Sequence, residues 1–265
     1  MWVRMSPVGE DRGGGWLKSF FDAVRFLTVL RIGNSAGAPS PRTMVYFPLV
    51  GLLIGCILAG AGRLSPFNPT ATAIFLVVAL ALLTGGLHLD GLADSADALF
   101  SGRDRAEMLD ILRDPHVGSW GVLGLVCVIL VKVALVSSLE HRTAGLVVMC
   151  VSSRWAMVWM MSLFPYARAE GKAKIFFDGI TRRIFWAATV PTLISVAIFG
   201  GIRGLLVFGI SAAAALPAGR WMNRRLGGMT GDTVGAVNEW TEIAALAAAS
   251  LIEQIEPHIL SRFLS

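Results

Sequence analysis

The sequence predicts an all-α fold, a polytopic integral membrane helical bundle with about six to seven transmembrane helices and an N-terminal amphipathic helix. Hydrophobic residues make up 55% of the 265 residues and charged residues only 15%, and the mean hydropathy is +0.66. An ordinary soluble domain is less apolar than this. Apolar segments long enough to cross a bilayer also recur along the chain. Residues 1–265 are therefore predicted to form a single integral membrane domain.

The first part of the chain, residues 1–43, is predicted to be a cytoplasmic segment. Its apolar stretch 16–31 is interrupted by charges such as Lys18 and Asp22, which disfavour a membrane span. This pattern predicts an amphipathic helix at the cytoplasmic membrane interface. Residues 32–43 are rich in Gly, Pro and Ser and predict a loop.

The remainder, residues 44–255, is predicted to be the transmembrane catalytic bundle. Two of its apolar segments are separated only by Arg203 and must be joined tightly, while the last segment carries Glu242 and Glu253 and is the least apolar. The predicted spans are roughly 44–62, 71–89, 117–139, 144–164, 184–202, 204–222 and 241–255.

The distribution of basic residues predicts the orientation of the bundle. With the N-terminus inside, the stretches 1–42, 90–115, 165–183 and 220–240 face the cytoplasm and hold 17 Lys and Arg residues, whereas the opposite loops hold three. This is the bias of the positive-inside rule. It accounts for the net charge of +5 without a nucleic-acid partner. We expect a multi-pass protein of the cell inner membrane, in contact with the lipid bilayer, with its acidic motifs facing the cytoplasm.

Three carboxylates, Asp90, Asp94 and Asp97, follow an apolar segment at positions i, i+4 and i+7. On a helix they fall within an arc of about 60°, and their mutual repulsion favours a bound cation. Carboxylate oxygens are the ligands that Mg²⁺ prefers. The spacing predicts these residues as catalytic and metal-binding, with Mg²⁺ as the cofactor. One of them could instead serve as a general base, and the sequence leaves open which.

A second acidic group comprises Glu107, Asp110 and Asp114, after a helix break at Gly102. We interpret Asp110 and Asp114 as further metal ligands that face the first group across a shared site. The alternative is a solvated or capped helix terminus, because Pro115 disfavours helical geometry at the preceding residue.

A glycine-rich turn at 227–232 precedes Glu239 and Glu242. Glycines let backbone N–H groups approach phosphate oxygens, and a helix start favours anions. Glu239 follows Asp232 by seven residues, and the two are predicted to share one cytoplasmic face. The turn and Glu239 are therefore predicted to bind substrate phosphate; the alternative is a helix N-cap. The predicted residues are Gly228, Thr230, Gly231, Asp232 and Glu239.

Two basic residues lie within predicted spans, Lys132 and Arg154. A charge at membrane depth is costly unless it is paired or hydrated. Arg154 is therefore predicted either to bind phosphate or to pair with a carboxylate of the site, and Lys132 to snorkel or pair internally. Arg168, in a basic cytoplasmic stretch, is predicted to attract an anionic substrate or to act only as an orientation signal.

The run Gly-Gly-Leu-His-Leu-Asp-Gly-Leu-Ala-Asp-Ser-Ala-Asp at 85–97 resembles the signature of the cobalamin synthase family, the adenosylcobinamide-GDP ribazoletransferases. Further resemblances occur in order over roughly residues 20–250. They are Tyr46-Phe47-Pro48-Leu49-Val50-Gly51, Met108-Leu109-Asp110-Ile111 with Arg113-Asp114, Gly118, Ser153-Arg154, Tyr166-Ala167-Arg168, Gly227-Gly228 through Thr230-Gly231-Asp232, and Gly235-Ala236. Ala98 and Pro115 depart from the residues usual in the family, but no acidic residue is missing.

The resemblance implies a Mg²⁺-dependent membrane transferase. Such an enzyme joins adenosylcobinamide-GDP to α-ribazole or its 5′-phosphate and releases GMP. The resemblance leaves open whether the ribazole is phosphorylated, and whether the protein forms a homo-oligomer or joins a corrin-assembly membrane complex.

Two other functions fit parts of the pattern. The paired Asp90-xxx-Asp94 and Asp110-xxx-Asp114 resemble the motifs of intramembrane prenyltransferases, although Gly86 replaces the Asn usual before the first motif. A cation transporter could use the same acids as an ion site. Against it, the acids cluster at the cytoplasmic end of the spans, and the chain lacks the paired repeats common in transporters.

Overall fold

The computed structural model describes residues 15–32 and 40–263, with side chains described up to residue 255. Within these ranges the regular structure is helical and no β-strand occurs, so the predicted all-α class is confirmed. The helices are α1 (Trp16–Leu27), a 3₁₀ turn (Pro41–Tyr46), α2 (Phe47–Leu64), α3 (Pro69–Leu83), α4 (Leu87–Leu99), α5 (Arg105–Ile111), α6 (Ser119–Ser138), α7 (Arg142–Leu163), α8 (Lys174–Gly179), α9 (Arg182–Leu226) and α10 (Gly231–Phe263).

Helix α1 is amphipathic, as predicted, but it ends at Leu27 and not at residue 31. Ala23, Val24 and Leu27 are buried against the bundle, whereas Trp16 is exposed. Helix α1 therefore attaches its apolar face to the protein. Most of the predicted loop 32–43 lies outside the described residues.

Helix α7 forms the centre of the bundle, since its side chains are buried almost without interruption between Leu146 and Val158. It packs against α2 through two glycines one helical turn apart, Gly51 and Gly55. A methyl group at Gly55 would lie only 2.7 Å from the Val147 Cα atom. Small residues at this spacing allow close backbone approach between membrane helices.

Helix α9 is a helical hairpin, because its backbone leaves helical geometry at Gly201, with φ +57°. A methyl group at Gly204 would lie 2.8 Å from the Val196 carbonyl oxygen, although eight residues of continuous helix span about 12 Å. The chain must therefore reverse between them. Trp155 of α7 contacts both arms: its Nε1 donates to the Thr189 hydroxyl at 2.9 Å, and its ring meets Phe208 edge-on. The tight joint predicted near Arg203 is confirmed.

The predicted span 71–89 is not one helix. Helices α3 and α4 meet at an angle of 89°, because Gly85 and Gly86 adopt left-handed backbone angles of φ +61° and +70°, which glycine adopts without strain. The bend turns α4 across the bundle, so its carboxylates lie over the ends of α6 and α10.

Four described segments are long and apolar enough to cross a membrane: Pro41–Leu64, Ser119–Ser138, Arg142–Leu163 and Arg182–Leu226. The bent pair α3–α4 would make five, fewer than the six to seven predicted. The hairpin α9 counts once although it comprises two arms, and α10 is not among the candidate spans. Large apolar side chains on α6, such as Leu123 and Leu130, are exposed. Such a surface is stable in contact with lipid and not with water, so the protein is a polytopic membrane protein.

Candidate active site

Helices α4 and α10 approach each other closely at two glycines. A methyl group at Gly91 would lie 2.7 Å from the Asp232 carbonyl oxygen, and one at Gly235 would lie 3.6 Å from the Gly91 Cα atom. The absence of side chains at these positions lets the backbones meet. The start of α10, with Asp232, is thereby placed beside the acidic face of α4.

Asp90 and Asp94 form the open part of this site. Neither carboxylate has a hydrogen bond or ion pair with another described residue. Asp94 is half-buried. Its carboxylate is repelled by the negative charges of Asp90, Asp232 and Asp97 and attracted by the Arg168 guanidinium. Unpaired carboxylates this close together repel one another, and a divalent cation would relieve that repulsion.

Asp97 has a different environment from the other two acids of α4. Its Oδ2 accepts the Gly118 N–H at 2.7 Å and its Oδ1 accepts the Gly121 N–H at 2.9 Å. A carboxylate at a helix start stabilises the unpaired N–H groups and the helix dipole. Asp97 therefore anchors α6 to α4, and its predicted role as a metal ligand stays a prediction.

Arg168 reaches the site because its loop pairs with the glycine-rich turn. The Ala167 N–H donates to the Met229 carbonyl, and the Met229 N–H donates to the Pro165 carbonyl, both at 2.8 Å. The Arg168 Nη2 then donates to Asp232 Oδ2 at 3.2 Å. Burial raises the pKa of Asp232, while the nearby Arg168 guanidinium acts in the opposite direction.

The turn itself is stabilised by its own hydrogen bonds. The Thr230 N–H donates to the Thr233 hydroxyl at 2.8 Å, and the Thr233 N–H donates to the Thr230 hydroxyl at 3.2 Å. A methyl group at Gly228 would lie 2.8 Å from the Ala167 backbone. These contacts show the N-cap that was the alternative interpretation, with Gly231 opening α10. Phosphate binding by Gly228, Thr230 and Gly231 stays a prediction.

Asp110 and Asp114 of the second acidic group each pair with a neighbour in the sequence. Asp110 is exposed, and its Oδ1 lies 3.6 Å from Arg113 Nη1. The Asp114 Oδ1 forms a hydrogen bond with His116 Nδ1 at 2.6 Å. Contact with His116 lowers the pKa of Asp114. Each acid thus has a local partner in solvent, and their predicted metal-binding role is untested.

Arg154 and Glu239 lie in the core of the bundle, away from the solvent-exposed acids. Arg154 is fully buried and pairs with Glu242, and the Lys132 ammonium bonds both Glu242 and Glu239, the latter at 2.6 Å. The prediction that Asp232 and Glu239 share one cytoplasmic face is wrong. Seven residues advance about 10 Å along a helix, which carries Glu239 from the surface into the interior. The predicted internal pairing of Lys132 is confirmed.

A cavity of about 530 Å³ opens beside Asp90 and Asp232. Asp90, Asp232, Arg168, Arg113 and Lys172 contribute its charged side. Helices α1, α2, α7 and α8 contribute only apolar side chains to its other side: Phe26, Phe47, Met157, Met161, Phe176 and Phe177. The volume falls in the range of small-molecule sites.

Comparison with known proteins decides the family. The model of the cobalamin-5-phosphate synthase family matches residues 19–250, which include every side chain of the site described above. The chain belongs to the cobalamin-5-phosphate synthase family. It is 38% identical over 94% of its length to an adenosylcobinamide-GDP ribazoletransferase of Roseiflexus sp., covering 91% of that protein. It is 40% identical over 78% of its length to one of Citrobacter koseri, covering 87% of that protein. No solved structure is significantly similar to the chain.

The donors of this family member fit Mg²⁺ in part. Among the described residues, no three His, Cys, Asp or Glu side chains are grouped as a complete metal cage. Magnesium sites in phosphate-transferring enzymes usually take one or two protein carboxylates and fill the other positions with water and substrate phosphate oxygens. Asp90 and Asp94 have hard carboxylate oxygens of this kind, without a hydrogen bond or ion pair to another described residue.

The sequence analysis missed two parts of the site. It did not identify Glu242 as the shared partner of Lys132 and Arg154, although two bases and two acids within apolar segments indicate internal pairing. It also missed the aromatic wall. No local pattern shows that Phe26 of α1 and Phe176 of α8, 150 positions apart, have ring centroids separated by 5.1 Å.

Proposed function

We propose that this protein is a Mg²⁺-dependent adenosylcobinamide-GDP ribazoletransferase, with α-ribazole or its 5′-phosphate as acceptor. A ribazole hydroxyl oxygen forms a bond to the phosphorus atom that carries cobinamide. The phosphoanhydride bond breaks, and GMP leaves. The observation that carries the proposal is that Asp90, Asp232 and Arg168 line one cavity, with Asp94 close to all three, in a chain of this family.

The acidic and basic side chains of the site would have different roles. Asp90 and Asp94 would hold Mg²⁺, which would neutralise diphosphate oxygens and stabilise the leaving group. Arg168 would bind a phosphate oxygen, since Asp232 and the Leu112 carbonyl occupy Nη2 and its buried Nε has no partner among the described residues. A carboxylate beside the cavity would accept the proton of the attacking hydroxyl.

The proposed location is the cytoplasmic face of the cell inner membrane. Support comes from the 17 Lys and Arg residues on the predicted side of the acidic motifs, against three on the other. Substrates with a diphosphate or a phosphate are membrane-impermeant, so a site open to the cytoplasm gives them direct access.

The test is GMP release by the purified full-length protein in detergent, supplied with adenosylcobinamide-GDP and α-ribazole. We expect GMP and a cobalamin product with Mg²⁺ and neither with excess EDTA, and activity should return when Mg²⁺ is restored. Absence of product from folded protein, while a control enzyme is active, would contradict the proposal. Prenyl diphosphates would then be the next substrates to assay.

A further inference from the structure

The cavity beside the acidic group has two chemically different sides. Phe26, Phe47 and Phe176 form a mutually packed cluster, with the Phe26 and Phe47 rings stacked at 5.8 Å and Phe176 edge-on to both. Phe177 extends this surface to Tyr166, 5.0 Å away between centroids. The opposite side carries Asp90, Asp232 and cations. Such a site suits a ligand with a flat apolar part joined to a polar, charged part.

The apolar side is unsuited to guanine. Guanine carries several hydrogen-bond donors and acceptors around its edge, and those that lie against Phe26, Phe47 and Phe176 would lose water without gaining a partner. A dimethylbenzimidazole ring has an apolar edge and loses little. A whole corrinoid is far larger than a drug-sized molecule and would extend beyond a cavity of about 530 Å³.

The cations at the rim offer a separate contact. Lys172 is exposed and has no hydrogen bond or ion pair with another described residue. Lys174, two positions later, is instead paired with Asp178 at 2.6 Å and does not line the cavity. A free ammonium group at the mouth of an aromatic cavity is suited to a phosphate attached to the ribose of a bound nucleoside.

We propose that this cavity is the acceptor subsite. The apolar base of α-ribazole lies against Phe26, Phe47 and Phe176, and its ribose faces Asp90 and Asp232. When the acceptor is the 5′-phosphate, Lys172 binds that phosphate. The inference rests on the proposed function, and it places the GDP moiety of the donor outside the aromatic cavity.

The experiment measures binding of α-ribazole and of α-ribazole 5′-phosphate to the full-length protein in nanodiscs, without donor, by equilibrium dialysis. Lys172→Met should weaken binding of the phosphate form about tenfold and leave α-ribazole unchanged, because only the phosphate contact is lost. Lys174→Met is the matched control and should change neither. Equal effects of Lys172→Met on the two ligands, or no effect on either, would overturn the assignment of the phosphate contact.

Phe176→Leu tests the aromatic wall. It should weaken the binding of both acceptors about five- to tenfold and raise their KM values. The KM for adenosylcobinamide-GDP should stay within about twofold. GMP should not compete with α-ribazole. Competition by GMP or by a prenyl diphosphate, or a rise only in the KM for the donor, would show that the cavity holds a different group. If Phe176→Leu does not fold, the competition measurements on the unaltered protein still decide.

The two proposals fail separately. Binding of α-ribazole without any GMP release in the complete assay would retain the subsite and reject the transferase reaction. GMP release with acceptor binding unaffected by Lys172→Met and Phe176→Leu would retain the reaction and reject the subsite.

Discussion

Two clusters of acidic and basic residues in this protein use the same residue types in opposite ways. In the core, Glu239 and Glu242 are matched by Lys132 and Arg154, and all four side chains are buried. Beside the cavity, Asp90 and Asp94 have no partner among the described residues. Buried charges must be paired to be tolerated, whereas carboxylates left open beside a cavity are available to a metal ion or substrate. We therefore expect the core cluster to serve the fold, and we propose that the cavity cluster serves chemistry.

Glu242→Gln should disrupt the core cluster and cause the largest loss of stability. It leaves Lys132 with one acidic partner and Arg154 with none, and an uncompensated buried charge costs about 3–5 kcal/mol. We expect a much lower thermal unfolding midpoint in detergent and a low yield of folded protein. Asp178→Asn, which removes an exposed pair with Lys174, should change stability by less than about 1 kcal/mol. Equal midpoints for the two variants would show that the core cluster is not structural.

Asp90→Asn, in the cavity cluster, should lower activity and leave stability unchanged, the reverse of Glu242→Gln. If Asp90 is a direct metal ligand, as proposed, its loss should lower kcat/KM by at least about 100-fold, since even changes to residues that support ligands cost about 10- to 100-fold. The unfolding midpoint should be unchanged, because the side chain is exposed and unpaired.

Asp110→Asn is the control for that measurement. Asp110 resembles Asp90 in the sequence pattern, yet it is exposed, paired with Arg113 and outside the cavity lining. We expect activity within about twofold of the unaltered enzyme, in line with the small contribution of exposed ion pairs. A loss as large as that of Asp90→Asn would place Asp110 in the metal site, as the sequence pattern first predicted.

Gly91→Ala, at the contact between α4 and α10, should cause smaller losses of stability and activity. The added methyl group would lie 2.7 Å from the Asp232 carbonyl oxygen, so α4 and α10 must move apart, at a cost of about 1–3 kcal/mol. Activity should fall as well, since the shift displaces Asp232 from Asp94. Gly60→Ala on α2, where a methyl group meets nothing within 4 Å, should be neutral or slightly stabilising. Equal results for both variants would exclude the close contact as a determinant of the site.

The sequence by itself determined the helical class, the membrane environment and the main acidic residues. Hydropathy and the i, i+4, i+7 spacing are local properties, and a helix converts them directly into an apolar surface or an acidic face. The tight joint of the α9 hairpin was also predictable, because only a short segment around Arg203 separates two long apolar runs.

Only the tertiary structure distinguished residues that look alike in the sequence. Asp90 and Asp97 share a helical face, yet Asp97 caps α6 while Asp90 remains open. Asp232 and Glu239 share a helix, yet one reaches the cavity and the other the core. The partner of each carboxylate comes from a helix distant in sequence. Its role is therefore set by how the helices bend and pack, through the left-handed glycines before α4 and the glycine contact between α4 and α10.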